Sequence, residues 1–205
     1  MRSRRTMGSA LLLSAGFLLS MNVSAGDKPL EASGADGAML GNTCAGCHGT
    51  NGSSHGPATP SLAGMTKDTL VDAMKAYKDG TRPSTIMGRI AKGYADADFE
   101  AMGDFFSKQT LTVPTQTVDA DKAASGKKLH KKYCEKCHVE GGTVDEDGSG
   151  FLAGQWMPYL HYSIEDFHSG KRDMPKKMKK KMEKMTKKHG DGAMSDLLNY
   201  YGSRK

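Results

Sequence analysis

Apolar side chains recur at helical spacing along this chain, and no stretch shows the alternation that is typical of a β-strand. One stretch places Leu70, Met74 and Tyr77 on a single helical face, and Gly80 predicts the end of that helix. Helices are predicted over four segments: 68–78, 96–106, 157–167 and 194–201. The pattern therefore predicts an all-α protein made of short helices and long loops.

The sequence repeats itself at an offset of 90 residues. CAGCH at 44–48 aligns with CEKCH at 134–138, and 61–82 aligns without a gap on 151–172. The shared register makes chance a poor explanation. We therefore predict two similar domains, joined by a polar segment that contains a proline and lacks helical periodicity.

The first residues have the features of an export signal. Arg2, Arg4 and Arg5 precede an apolar run that is short for a membrane span, and small residues lead up to Ala25. We expect cleavage after Ala25 and a periplasmic protein without stable membrane insertion, the alternative being a retained anchor. The predicted organisation is a signal peptide, a first domain, a linker and a second domain: 1–25, 26–112, 113–122 and 123–205.

Charge differs between the two halves. The formal net charge is +6; residues 26–118 carry 8 basic and 10 acidic side chains, whereas 119–205 carry 18 basic and 13 acidic ones. Ten of those bases fall within 171–188, where Met182 and Met185 are predicted on the inner face of a lysine-covered helix. The lysines form either a solvated face or a docking surface for an acidic partner. Nucleic-acid binding is not expected outside the cytoplasm.

All four cysteines belong to the CxxCH motifs at 44–48 and 134–138. This motif is the signature of covalent haem c attachment, in which both thiols bond to the haem and the histidine ligates iron. A redox dithiol would need a strand–helix context that is missing here, zinc would need a fourth ligand in each motif, and a disulfide would leave the histidines unexplained. Two copies in an exported helical chain favour two haem c groups. The predicted residues are Cys44, Cys47 and His48 for one haem and Cys134, Cys137 and His138 for the other.

A haem held by one histidine either keeps an open position or takes a second axial ligand. Methionine opposite histidine raises the reduction potential and suits electron transfer. Met87 lies 39 residues after His48, in a segment that reads as a loop, and Met178 lies 40 residues after His138. We predict Met87 and Met178 as the second ligands. Met65 is a rival of Met87, and Met174, 36 residues after His138 and next to a proline, is the rival of Met178.

The second ring nitrogen of a ligating histidine needs a hydrogen-bond acceptor to orient the ring. The carbonyl of Pro57 or of Pro60 could serve His48. The matching segment in the second half, 145–150, has no proline. We therefore expect His138 to use a different carbonyl.

Four segments together resemble the dihaem cytochrome subunit of flavocytochrome c sulfide dehydrogenase: NTCAGCHGTNGSSHGPATPSLAG, RPSTIMGRIAKGYADADFEAMGDFF, KLHKKYCEKCHVEGG and LAGQWMPYLHYSIEDF. The resemblance covers nearly all of the mature chain. CxxCH alone is shared by other c-type cytochromes, whereas STIMGRIAKGY, YCEKCHVEGG and LAGQW are more specific.

This resemblance implies two class I cytochrome c domains, each with one haem, in a periplasmic heterodimer with a FAD-containing flavoprotein subunit. The partner would oxidise sulfide to sulfur, and its flavin would pass electrons to the haems. It also implies Met87 as a ligand, while Met178 rests on spacing. This chain has no spare cysteine nucleophile and no nucleotide-binding glycine motif after a strand, so we expect electron relay without a catalytic site. The alternatives are a free-standing dihaem carrier that feeds a terminal oxidase, a dihaem enzyme with an open iron position, and a haem-free disulfide module.

Overall fold

A computed structural model of the chain describes residues 31–145 and 148–204. The predicted signal peptide, 1–25, lies outside these residues. All regular structure in the described part is helical, which confirms the predicted all-α class. The helices are α1 Gly37–Thr43, α2 Ala45–His48, α3 Lys67–Asp79, α4 Met87–Ala91, α5 Asp96–Phe106, α6 Ala120–Tyr133, α7 Val139–Gly142, α8 Met157–His168, α9 Lys176–His189 and α10 Gly192–Ser203, with a 3-10 turn at Thr50–Gly52.

The four helices predicted from apolar spacing are confirmed as α3, α5, α8 and α10, with ends that differ by at most two residues. Helix α3 shows why the sequence forms a helix with these ends. Thr66 caps its start because the side-chain oxygen accepts a hydrogen bond from the Thr69 N–H. Leu70 and Met74 are buried on its inner face. Gly80 ends the helix in the left-handed conformation, with φ 82°, which glycine adopts without a Cβ clash.

The first half of the chain has its own core, built from α1, α3, α4 and α5. Helix α1 crosses α5 closely enough that Gly41 lies against the Phe105 ring. The buried apolar residues of this core are Leu40, Leu70, Val71, Met74, Ala91, Phe99, Met102 and Phe106. This core forms one wall of the cavity described below.

The second half repeats the arrangement with α6, α8, α9 and α10. Here α6 crosses α10, and a methyl group at Gly126 would overlap the carbonyl oxygen of Asp196. Glycine therefore sets the approach of the two helices. The buried apolar residues of this core are Leu129, Tyr133, Leu160, Met182, Met185, Ala193, Leu197, Tyr200 and Tyr201.

Between the halves, residues 110–119 have no regular secondary structure, and α6 begins at Ala120, within the segment assigned to the linker. Direct hydrogen bonds also join the halves. The Trp156 indole N–H donates to the Ser54 carbonyl at 3.1 Å. Among the described residues, no helix is both long and apolar enough to cross a membrane.

Candidate functional site

A cavity of about 1530 Å³ opens between the two halves and is lined by side chains of both. Its volume exceeds the range of about 300–1,000 Å³ that is typical of a pocket for one small ligand. The predicted site residues that line it are Cys44, His48, Met87, Cys134, Cys137, His138 and Met178. Cys47, the remaining predicted residue, is exposed and lies outside this lining.

In the first half, α2 holds the motif in one helical turn. The His48 N–H donates to the Cys44 carbonyl at 2.9 Å, which places the imidazole directly after the turn that carries both thiols. His48 is buried, and its Nδ1 donates to the Pro60 carbonyl at 2.8 Å. Of the two prolines that the sequence offered, Pro60 therefore orients the ring. This leaves Nε2 as the nitrogen that can ligate a metal.

Met87, which the sequence placed in a loop, is instead the first residue of the short helix α4. The first turn of α4 is tied to the preceding segment, because the Gly88 N–H donates to the Ser84 hydroxyl at 2.8 Å. Met87 is half-buried and lines the cavity.

In the second half, His138 comes before α7, and its Nδ1 is buried without a hydrogen-bond partner among the described residues. The described residues therefore do not provide the carbonyl acceptor that we expected for His138. Gly150 takes the place of Pro60 in the repeat, and its N–H donates to the Asp145 carboxylate at 2.9 Å. The loop is thus organised around the Asp145 side chain, and the two histidines have different surroundings.

The two rival methionines of the second half occupy different places. Met178 is in the first turn of α9 and lines the cavity. Met174 lies before the helix, packs against the second core and is absent from the cavity lining. Further along α9, Met182 and Met185 are buried, while the lysines are exposed, which confirms the predicted inner and outer faces.

Burial controls the protonation of the candidate ligands. Burial lowers the pKa of His48, which the Pro60 carbonyl partly opposes, and it also lowers the pKa of His138. Both imidazoles are therefore neutral at pH 7 and keep a lone pair for a metal. Burial raises the pKa of the Cys44 thiol, and it raises the pKa of the Cys134 thiol to about 11.

Two arginines that match in the repeat, Arg82 and Arg172, both line the cavity. The Arg82 guanidinium lies 4.8 Å from the Tyr77 ring centre and that of Arg172 lies 4.3 Å from the Phe167 ring centre. Neither forms a salt bridge within the described residues. Burial and, secondly, the charge of Arg82 lower the pKa of Arg172. Two neighbouring cations at an apolar cavity suit a ligand with carboxylate groups.

These features fit haem c and give no support to the other interpretations of the cysteines. All four cysteines are free. In the described ranges, no group of three or more His, Cys, Asp or Glu side chains is arranged to hold a metal ion. A haem would instead use a pair of thiols, a neutral imidazole, a thioether, apolar walls and cations for its propionates. The second half presents all of these at the cavity, and the first half presents all except the Cys47 thiol, which is exposed.

Comparison with known proteins agrees with this fit. The family model described as Cytochrome c matches residues 34–110. Cytochrome c4 of Stutzerimonas stutzeri is 31% identical over 146 residues, which cover 63% of this chain and 69% of that protein. The cytochrome subunit of sulfide dehydrogenase of Chlorobaculum tepidum is 40% identical over 70 residues, which cover 34% of this chain and 63% of that subunit.

Among solved structures, reduced recombinant cytochrome c4 from Pseudomonas stutzeri superposes with a TM-score of 0.69 at 26% identity, covering 83% of this chain and all of that one. The predicted fold class, two tandem class I cytochrome c folds, is thereby confirmed. The chain therefore belongs to the cytochrome c family, whose members bind haem c covalently and carry electrons, and it is similar to cytochromes c4.

Proposed function

We propose that the chain carries two haem c groups and is the electron-transfer subunit of a periplasmic sulfide dehydrogenase. Cys44, Cys47, His48 and Met87 would hold the first haem. Cys134, Cys137, His138 and Met178 would hold the second. The observation that carries this proposal is the cavity that seven of these eight residues, all except Cys47, line from opposite halves. The two cores fall within the proposed domains 26–112 and 123–205, which 113–122 would join, and each would support one site.

When bound, haem iron supplies reversible storage of one electron. The residues of this chain determine how well that works. His48 and His138 present neutral imidazoles, and Met87 and Met178 present thioethers, a pairing that raises the potential. Apolar side chains such as Leu70 line the cavity and would limit the access of water to a bound haem. With two such sites on one chain, both electrons of a two-electron donor could be accepted in turn.

The proposed donor is a FAD-containing flavoprotein subunit that oxidises sulfide to sulfur. The similarity to the Chlorobaculum tepidum sulfide dehydrogenase subunit supports this choice, as do the motifs STIMGRIAKGY and YCEKCHVEGG. The chain itself would contribute no catalytic group. Export and cleavage after Ala25 would deliver it to the periplasm, and the downstream acceptor would take electrons one at a time.

Purification of the native protein from its own periplasm tests this role. We expect a flavoprotein to copurify in equal amount, and sulfide to reduce the haems of the complex within the mixing time. A mixture in which sulfide reduces the haems equally well after the flavoprotein is removed would contradict the proposed donor.

The second candidate is a free-standing carrier that feeds a terminal oxidase. The similarity to cytochrome c4, which spans 69% of the Stutzerimonas stutzeri protein, favours it. In that case the purified chain would elute alone, and its reduced haems would become oxidised when membranes that contain the oxidase are added. Elution as a complex separates the first candidate from the second.

A further inference from the structure

The peptide group between Pro60 and Ser61 is hydrogen-bonded on both sides. Its carbonyl oxygen, on Pro60, accepts from His48 Nδ1 at 2.8 Å. Its N–H, on Ser61, donates to the side-chain oxygen of Gln155 at 3.0 Å. Because the amide is planar and conjugated, a hydrogen bond at its N–H polarises its carbonyl. The His48 ring and the Gln155 amide, which belong to different halves, are thus joined through one peptide unit.

Gln155 is held firmly in this position. Its side-chain NH₂ group donates to the Ser61 carbonyl at 2.8 Å, so the amide pairs with both backbone groups of Ser61. Gln155 is 1% exposed and Ser61 is fully buried. Gln116 fixes the backbone by donating to the Gln155 carbonyl at 2.8 Å. Such a buried, doubly bonded amide has little freedom to leave Ser61.

Among the described residues of the second half, this contact has no counterpart. The offset of 90 residues places Met65 opposite Gln155 and Gly150 opposite Pro60. A thioether offers only a weak acceptor, and His138 Nδ1 has no hydrogen-bond partner in the described part of the chain. The hydrogen bonds that start at Gln155 therefore reach His48 but not His138.

We propose that Gln155 is a positioning residue for the iron site at His48, acting across the boundary between the halves through the Pro60–Ser61 peptide. This inference rests on the proposed function, because it takes His48 as an iron ligand. When the Gln155 side-chain oxygen accepts the hydrogen bond from the Ser61 N–H, the Pro60 carbonyl oxygen becomes a stronger acceptor. A stronger acceptor holds the Nδ1 proton of His48 more tightly, and this makes the imidazole a more basic ligand. A more basic ligand stabilises ferric iron, so contact between the halves lowers the potential of the first site.

Redox titration of the mature holoprotein tests this, with each site assigned by NMR. Gln155→Met removes both amide contacts at similar side-chain length. We expect the potential at His48 to rise by the equivalent of a roughly threefold to tenfold change in the ferric–ferrous equilibrium, about 28 to 59 mV for one electron, while that at His138 stays unchanged. In the reduced protein, the His48 Nδ1 proton should also move upfield and exchange faster with solvent.

Trp156→Phe is the matched control, because it removes the neighbouring bond to Ser54 and leaves the Pro60–Ser61 peptide intact. It should shift neither potential. Gln155→Glu keeps an acceptor for the Ser61 N–H, and its first-site potential should equal the parent value or lie below it.

The proposal is overturned if Gln155→Met shifts both sites together or neither, if Trp156→Phe has the same effect, or if Gln155→Glu raises the first potential. Absence of attached haem would be seen separately, in the mass of the protein, and would count against the proposed function itself.

Discussion

Asp145 is expected to contribute strongly to stability. It belongs to the second half, and its carboxylate accepts hydrogen bonds from residues of the first half. It is 8% exposed. One oxygen accepts from the Thr66 N–H and hydroxyl, each at 3.0 Å, and the other accepts from the Thr69 hydroxyl and the Gly150 N–H, each at 2.9 Å. The side chain thus caps the start of α3 from the other half and orders its own loop.

Asp145→Ala leaves these four donors without their acceptor. A hydrogen bond contributes about 0.5–1.5 kcal/mol net. Two of the donors are hydroxyl groups, which can rotate to find other acceptors. We therefore expect a loss of about 2–3 kcal/mol, which is about 4–12 °C in Tm for a protein of this size. Asp145→Asn should lose less, because one acceptor oxygen remains.

Thermal unfolding of the holoprotein, followed by far-ultraviolet circular dichroism, measures the effect. Asp79→Ala is the control, because Asp79 accepts two hydrogen bonds from Thr81 in an exposed turn within one half. A Tm for Asp145→Ala no lower than that of Asp79→Ala would refute the assignment of Asp145 as a link between the halves.

Three further predictions concern single residues. Met178→Ala should abolish the weak far-red methionine–iron absorbance of the second haem, whereas Met174→Ala should preserve it; the opposite pattern would exchange their roles. Gly126→Ala should lower the Tm by more than Gly192→Ala, because the added methyl group overlaps the Asp196 carbonyl oxygen, whereas the space at Gly192 is open; equal Tm values would contradict this packing. Burial lowers the pKa of His130, and the neighbouring Glu135 partly opposes this shift. As the pH drops below about 6.5, His130 therefore takes up a proton in the unfolded chain at a higher pH than in the folded chain, and the free energy of unfolding falls. His130→Gln should flatten this fall in urea unfolding measured from pH 7 to 5, and an unchanged slope would show that His130 does not titrate in this range.

Local patterns predicted most of the helical fold. The apolar spacing within α3 and α5 is a property of neighbouring residues, so it could be interpreted without knowing the fold. Gly80 acts as a stop signal for the same reason. The CxxCH motifs and the repeat then indicated two equivalent sites, because the ligands of each motif are close in sequence.

The contacts between the halves could not be predicted in this way. Gln155 and Ser61 are 94 residues apart, and Asp145 and Thr66 are 79 residues apart. Neither pair carries a local pattern, because the pairing follows from how the two folds pack. The same holds for His138, whose surroundings depend on a loop arranged around Asp145. The start of α4 at Met87 was not predicted either, because the proline before Met87 and the glycine after it give this segment the composition of a loop.

The most direct test of this account is the intact mass of the mature protein under denaturing conditions, which remove any haem that is not covalently bound. The account predicts the polypeptide that begins at Gly26 plus the mass of two haem groups, with one haem on each CxxCH peptide after digestion. A mass equal to the polypeptide alone, or to the polypeptide with one haem, would contradict it.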